Sequence, residues 1–130
     1  MTDYDFAILR VVPKVQIGTW VNVGVMLHAR REEFLAIRAE LAEGRLAEMA
    51  PGLDIPLLAR YLKTWADICA GTTTAGPVAL APPSERFHWL TAPRSDVLQA
   101  SPVHEGVCLD LEAELDRLYG LYVTPSTERC

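Results

Sequence analysis

The chain has 130 residues, half of them hydrophobic and 22% charged, with a formal net charge of −5. That length suits one domain, and this ordinary globular mix excludes the low-hydropathy, high-charge signature of disorder. The acids gather late, six against two arginines over residues 105–130, and this balance speaks against general nucleic-acid binding, which needs clustered cations.

The start, Met1-Thr2-Asp3-Tyr4-Asp5, is acidic where a secretory signal would be basic, so a cytoplasmic location is expected. From there the chain reads as a strand. Tyr4, Phe6, Ile8 and Val12 share one parity while Ala7, Leu9 and Val11 share the other, which predicts burial on both faces. Pro13 to Thr19 carry a proline and a glycine that break the ladder, and this stretch is expected to be an exposed loop.

In the second strand Val21, Val23, Val25 and Leu27 form one unbroken apolar face, with Trp20, Asn22, Gly24, Met26 and His28 on the other. Trp20 to Leu27 is also the longest nearly apolar run. It is far short of the ~20 residues of a membrane-spanning helix, so no membrane partner is expected. Asn22 and Gly24 both lower strand propensity, and a bulge beneath a packed helix explains them better than a ligand contact does. A short polar hairpin leads into a third strand, Phe34 to Arg38.

Periodicity then becomes helical. Leu57, Leu58, Tyr61, Leu62, Trp65, Ile68 and Cys69 recur at three- and four-residue intervals, with Asp54 as N-cap, Pro56 in the first turn and Gly71 beyond the end. A shorter helix over Glu40 to Ala50 is only weakly periodic. Residues 71–83 read as a surface loop, Pro83 or Ser84 starts one helical turn, and Asp96 to Ser101 return as a fourth strand. Asp110 caps a last helix striped by Leu111, Leu115, Leu118 and Tyr122.

The fold expected from this order is one α+β domain over residues 1–130. It holds a three- to four-stranded, mostly antiparallel sheet covered by two main helices, around 55–70 and 110–119.

Chemistry is harder to read. Cys69, Cys108 and Cys130 include no C-x-x-C pair, and His104 with Cys108 lacks the second pair that structural zinc requires; neither a metal nor a cofactor is expected. No phosphate-binding glycine loop and no G-x-S-x-G elbow occurs. Glu32, Glu33, Glu112, Glu114 and Asp116 read as solvated surface. Arg94 offers a planar fork for an anion, with Ser95 beside it, yet arginine serves intramolecular pairing equally well.

The segments "YDFAILRVVPKVQIGTWVNVGVML", "LTAPRSDVLQASPVHEG" and "LDLEAELDRLYGLYV" resemble a bacterial family catalogued as domain of unknown function 3037. The likeness rests on Tyr4, Arg10, Pro13, Asn22, Gly24, Pro93, Arg94, Ser95, Pro102 and His104. It implies no established activity. It does imply a shared site near Arg10, Asn22, Arg94 and His104, and the resemblance also implies neighbouring genes of the HipA-like kinase type, a hint of a protein partner.

The expected role is therefore an interaction or regulatory module. The competing class is a ligand-binding protein or enzyme whose cleft gathers Arg10, Asn22, Arg94, Ser95 and His104 around an anionic metabolite or nucleotide phosphate. Convergence of these side chains on a concave pocket would favour the ligand class, and internal satisfaction of each would favour the module.

Overall fold

The computed structural model describes residues 1–13, 20–94 and 96–123. Its elements in chain order are β1 (Thr2–Val11), β2 (Val21–Ala29), β3 (Phe34–Ala39), α1 (Glu43–Met49), α2 (Ile55–Ala70), α3 (Pro83–Thr91), β4 (Leu98–Ala100), β5 (His104–Cys108) and α4 (Leu111–Tyr122). Two 3-10 turns, Thr73–Ala75 and Pro77–Leu80, lie within the stretch expected to be a loop. The class is α+β with an antiparallel sheet, as the order of patterns predicts. The sheet has five strands instead of three or four, and α1 and α3 join the two main helices.

The fifth strand arises because the return segment is broken. β4 pairs with the end of β1 and β5 with its beginning, so both occupy the edge of β1 that β2 leaves free. Ser101 spans the break. Its amide donates to the Ile8 carbonyl at 2.8 Å, and its Oγ accepts from the Ile8 amide at 2.8 Å while donating to the Pro102 carbonyl at 2.9 Å. Pro102 has no N–H to give a ladder, and the serine hydroxyl satisfies the buried amide instead.

β1 divides the interior in two. Ala7, Leu9 and Val11 pack with Leu58, Trp65, Ile68, Phe87 and Leu90 from α2 and α3. Tyr4, Phe6 and Ile8 pack with Leu115, Leu118 and Tyr119 of α4. The sheet is thus the middle layer, with α2 and α3 on one face and α4 on the other. Tyr119, not Tyr122, completes the buried stripe of α4.

The apolar face expected to run unbroken along β2 is split. Leu9 pairs with Gly24 but Arg10 pairs with Asn22, so Val23 is one extra residue, a β-bulge. Val21 and Val23 consequently join the α2 core, whereas Val25 and Leu27 join the α4 core. Gly24 is required here, since a Cβ would lie 2.5 Å from the Ala39 Cβ and 2.8 Å from the Arg38 carbonyl oxygen of β3. The bulge reading of Asn22 and Gly24 therefore holds.

The predicted caps are present: Asp54 accepts from the Leu57 amide at 3.0 Å, Asp110 from the Ala113 amide at 3.1 Å, and Gly71 ends α2 with φ of 72°. Arg86, buried on α3, adds a cap of its own by donating to the Ile68 and Cys69 carbonyls, both at 3.0 Å. A cation at a helix C-terminus satisfies carbonyls that lack intrahelical donors and complements the dipole.

Replacing Ser101 by alanine leaves the Ile8 amide buried without a partner, and such a loss costs about 1–3 kcal/mol. Urea denaturation of Ser101→Ala is expected to show a destabilisation of that size with an unchanged denaturant slope.

Candidate functional site

The residues singled out by the sequence do not share one pocket. Arg10 has the parity of Ile8 and so projects to the α4 face, where its guanidinium lies 4.2 Å from the centre of the Trp20 ring. Asn22, directly across the ladder, donates from Nδ2 to the Tyr122 carbonyl at 3.0 Å, at the end of α4. His104 pairs with Phe6 and keeps its ring 5.3 Å from that of Phe6, which in turn sits 5.9 Å from Tyr122. These three thus share the α4 face.

Arg94 lies on the opposite layer, with its guanidinium 5.1 Å from the Trp65 ring and 4.9 Å from that of Trp89. Its donors go to the Trp89 carbonyl at 2.6 Å and the Ala92 carbonyl at 3.3 Å. Among the described residues the guanidinium thus serves the C-terminus of α3. Ser95 lies outside the described residues, as do Lys14 to Thr19 of the expected loop and Cys130. Burial lowers the pKa of Arg10, whose Nε has no hydrogen-bond partner among the described residues; the same is true of Asn22 Oδ1. His104 and Cys108 stand on one face of a strand, not a helix, the histidine exposed and the cysteine buried.

The concave surface lies elsewhere, at the end of the sheet where β1 begins. α2 and α3 leave this end of their face uncovered, and a cavity of about 600 Å³ opens there, walled by Asp3, Asp5, His28, Arg30 and Glu105 among others. Asp5 pairs with His28 across the ladder on one side and with Glu105 on the other. Arg30 also borders a second groove of about 520 Å³ along α3, lined by Ser84, Glu85, His88 and Trp89.

His28 joins the two. Its ring is 5% exposed and stacks on Phe87 at 4.9 Å, with an interplanar angle of 18°. Nε2 lies 3.0 Å from Ser84 Oγ, and Nδ1 faces Asp5 Oδ2 at 3.6 Å. That second distance exceeds a hydrogen bond, so Asp5 acts through its charge and favours the tautomer with hydrogen on Nδ1, leaving Nε2 to accept from serine. Burial lowers the His28 pKa more than Asp5 raises it, and the ring is neutral near physiological pH.

The far face carries a second polar array. The Tyr4 hydroxyl donates to Glu114 of α4, and Arg117 grips the same carboxylate at 2.8 and 2.9 Å. The Arg117 hydrogen bonds hold the Glu114 pKa down to about 2, while burial and the bond to Glu114 push Tyr4 up to about 12. Gly106 makes the Tyr4 path possible, since a Cβ there would lie 2.5 Å from the phenolic oxygen. This array fastens α4 to the sheet, and Tyr4 and Gly106 also border the cavity at the open end of the sheet.

Sequence reading placed His28 on a mixed strand face and Ser84 at a helix start, and linked neither to the other. The cross-strand pairing of Asp5 with His28 follows from hairpin register; the approach of Ser84, 56 residues further on, has no local signal.

The profile of the family described as "Protein of unknown function (DUF3037)" matches residues 6–123. The chain belongs to that family. No curated protein and no solved structure matches it. Of the positions that carry the DUF3037 likeness, Tyr4, Gly24 and Arg94 have structural tasks, anchoring α4, seating β3 against the bulge and capping α3.

Two acid-sensitive windows follow. A histidine whose folded pKa is depressed contributes stability above its unfolded value of 6.5 that is lost as pH falls below it. For Glu114 the loss runs from 4.5 down to about 2. Urea midpoints are expected to fall between about pH 7 and pH 5 in the native chain but not in His28→Gln, and Glu114→Gln is expected to flatten the limb below about pH 4.5.

Proposed function

We propose that the chain is a single-domain interaction or regulatory module of the bacterial cytoplasm, docking a protein partner at the open end of its sheet. The observation that carries this reading is the bare β5. Its Val107 side chain is 53% exposed and the flanking Val103 and Leu109 are 44% and 85% exposed, apolar surface beside the carboxylates Asp3, Asp5 and Glu105. Exposed apolar residues rimmed by charge are the usual makings of a protein interface.

The partner this surface fits is a basic segment with apolar side chains. Among the described residues β5 pairs with β1 alone, so its outer edge can accept an added strand from such a segment. A HipA-like kinase is the partner to test first. The alternative, a cleft for an anionic metabolite or nucleotide phosphate, draws less support: Arg94 is spent on carbonyls, and the open cavity sets Asp3, Asp5, Glu32 and Glu105 against Arg30 and Arg31. Nucleic acid is disfavoured by the same acids.

Co-expression with a HipA-like kinase is expected to give a stoichiometric complex on size exclusion. Val107→Lys, which sets a cation across the ladder from Asp3 and repels a basic partner, is expected to weaken it at least about tenfold. Separate migration of the two native proteins would argue against the module.

A further inference from the structure

Ser84, His28 and Asp5 come from a helix, the second strand and the first strand, and meet in the order of a nucleophile, a base and an orienting carboxylate. We propose that they form a nucleophilic site that cleaves small carboxylic esters, with Ser84 Oγ attacking and His28 Nε2 taking its proton. The proposal goes beyond partner docking, and of its three residues only Asp5 also belongs to the docking surface.

The geometry supplies a nucleophile in contact with its base and a carboxylate facing the base from the other side. The Ser84 Oγ to His28 Nε2 distance is 3.0 Å, within reach for proton transfer. Phe87, stacked at 4.9 Å, holds the imidazole plane, and Asp5 faces the opposite nitrogen. The groups around His28 are Asp5 from β1, Leu35 from β3, Arg30 beyond the end of β2, and Ser84 and Phe87 from α3. Its neutral state suits a base.

α3 adds the electrophilic side. Pro82 and Pro83 have no N–H, and Arg86 donates to the Pro82 carbonyl. The two first-turn amides without an intrahelical acceptor are therefore those of Ser84 itself and Glu85. Amides so placed stabilise a developing oxyanion. The groove of about 520 Å³ beside Ser84 admits a small substrate, with Trp89 along its wall and Arg30 at its end. A small uncharged acyl group fits that lining, where Trp89 and Ala92 are apolar and Glu85 offsets Arg30.

The step balances without a cofactor. Ser84 Oγ bonds to the ester carbonyl carbon and its proton passes to His28 Nε2. The tetrahedral adduct then expels the alcohol, which leaves with that proton as the ester C–O bond breaks. Water, deprotonated by His28, next attacks the acyl-serine, releasing the carboxylic acid and restoring the Ser84 hydroxyl.

A fluorophosphonate probe and p-nitrophenyl acetate test this on the intact chain. Peptide mass spectrometry is expected to place the phosphonyl adduct on Ser84, and the acetate ester to release a burst of about one p-nitrophenolate per chain. Ser84→Ala should abolish both, and His28→Gln should slow labelling by about a hundredfold or more. His28 is a core residue and its variant can unfold. Asp5→Asn therefore serves as the second variant: the labelling rate of the native chain should fall with an inflection below the ordinary histidine value of 6.5, and the variant should move that inflection lower still. No adduct on Ser84, or labelling at native rate without the inflection, would overturn the proposal.

Discussion

β1 has water on neither face along most of its length and hydrogen-bonded neighbours on both edges. That constraint orders the rest of the molecule. A strand buried on both faces must be apolar at both parities, so its polar residues fall at the ends: Asp3 and Asp5 at one, Arg10 at the other. Each end then demands partners of its own. Arg10 finds the face of Trp20, and Asp5 finds His28.

The bulge in β2 settles what stands beside Arg10. Without the extra residue the ladder would set Val23 against Arg10 and turn Asn22 into the α2 core, where its amide would have no partner. With it, Asn22 lies opposite Arg10 and reaches the Tyr122 carbonyl. A buried polar group without a hydrogen bond costs far more than the local loss of a ladder position. Gly24 is the residue that lets β3 close over the irregularity.

What the sequence reveals tracks how local the signal is. Both ends of α2 and the start of α4 were legible because Asp54, Gly71 and Asp110 act within one turn of themselves, whereas α4 runs past Gly120 to Tyr122. The strands of the first hairpins were legible from alternation. β5 was hidden by Ser101-Pro102, which reads as a loop and is one, with the ladder resuming after it through a serine hydroxyl. α3 was underestimated because two prolines open it and its face toward the core carries a buried arginine. Arg94 looked like an anion fork, but its reach is taken up by the carbonyls of the helix just before it. Asp5, His28 and Ser84 were invisible as a group, since their meeting depends on the packing of α3 against the end of β2 and on no shared motif.

The open end of the sheet is a consequence of the same economy. A third helix laid over β5 would have to bury Asp5 and Glu105 beside each other, and like charges out of water are among the most unfavourable arrangements a fold can hold. α3 therefore stops short, covering His28 with Phe87 while leaving Asp5 half in solvent. The imidazole ends up between a dry side, which keeps it neutral, and a wet carboxylate, which orients it. A buried imidazole needs a partner for its ring nitrogens whatever its role, and in this fold the groups that meet that need are a hydroxyl and a carboxylate. The boundary between packed and open sheet is thus where this fold concentrates its reactive groups.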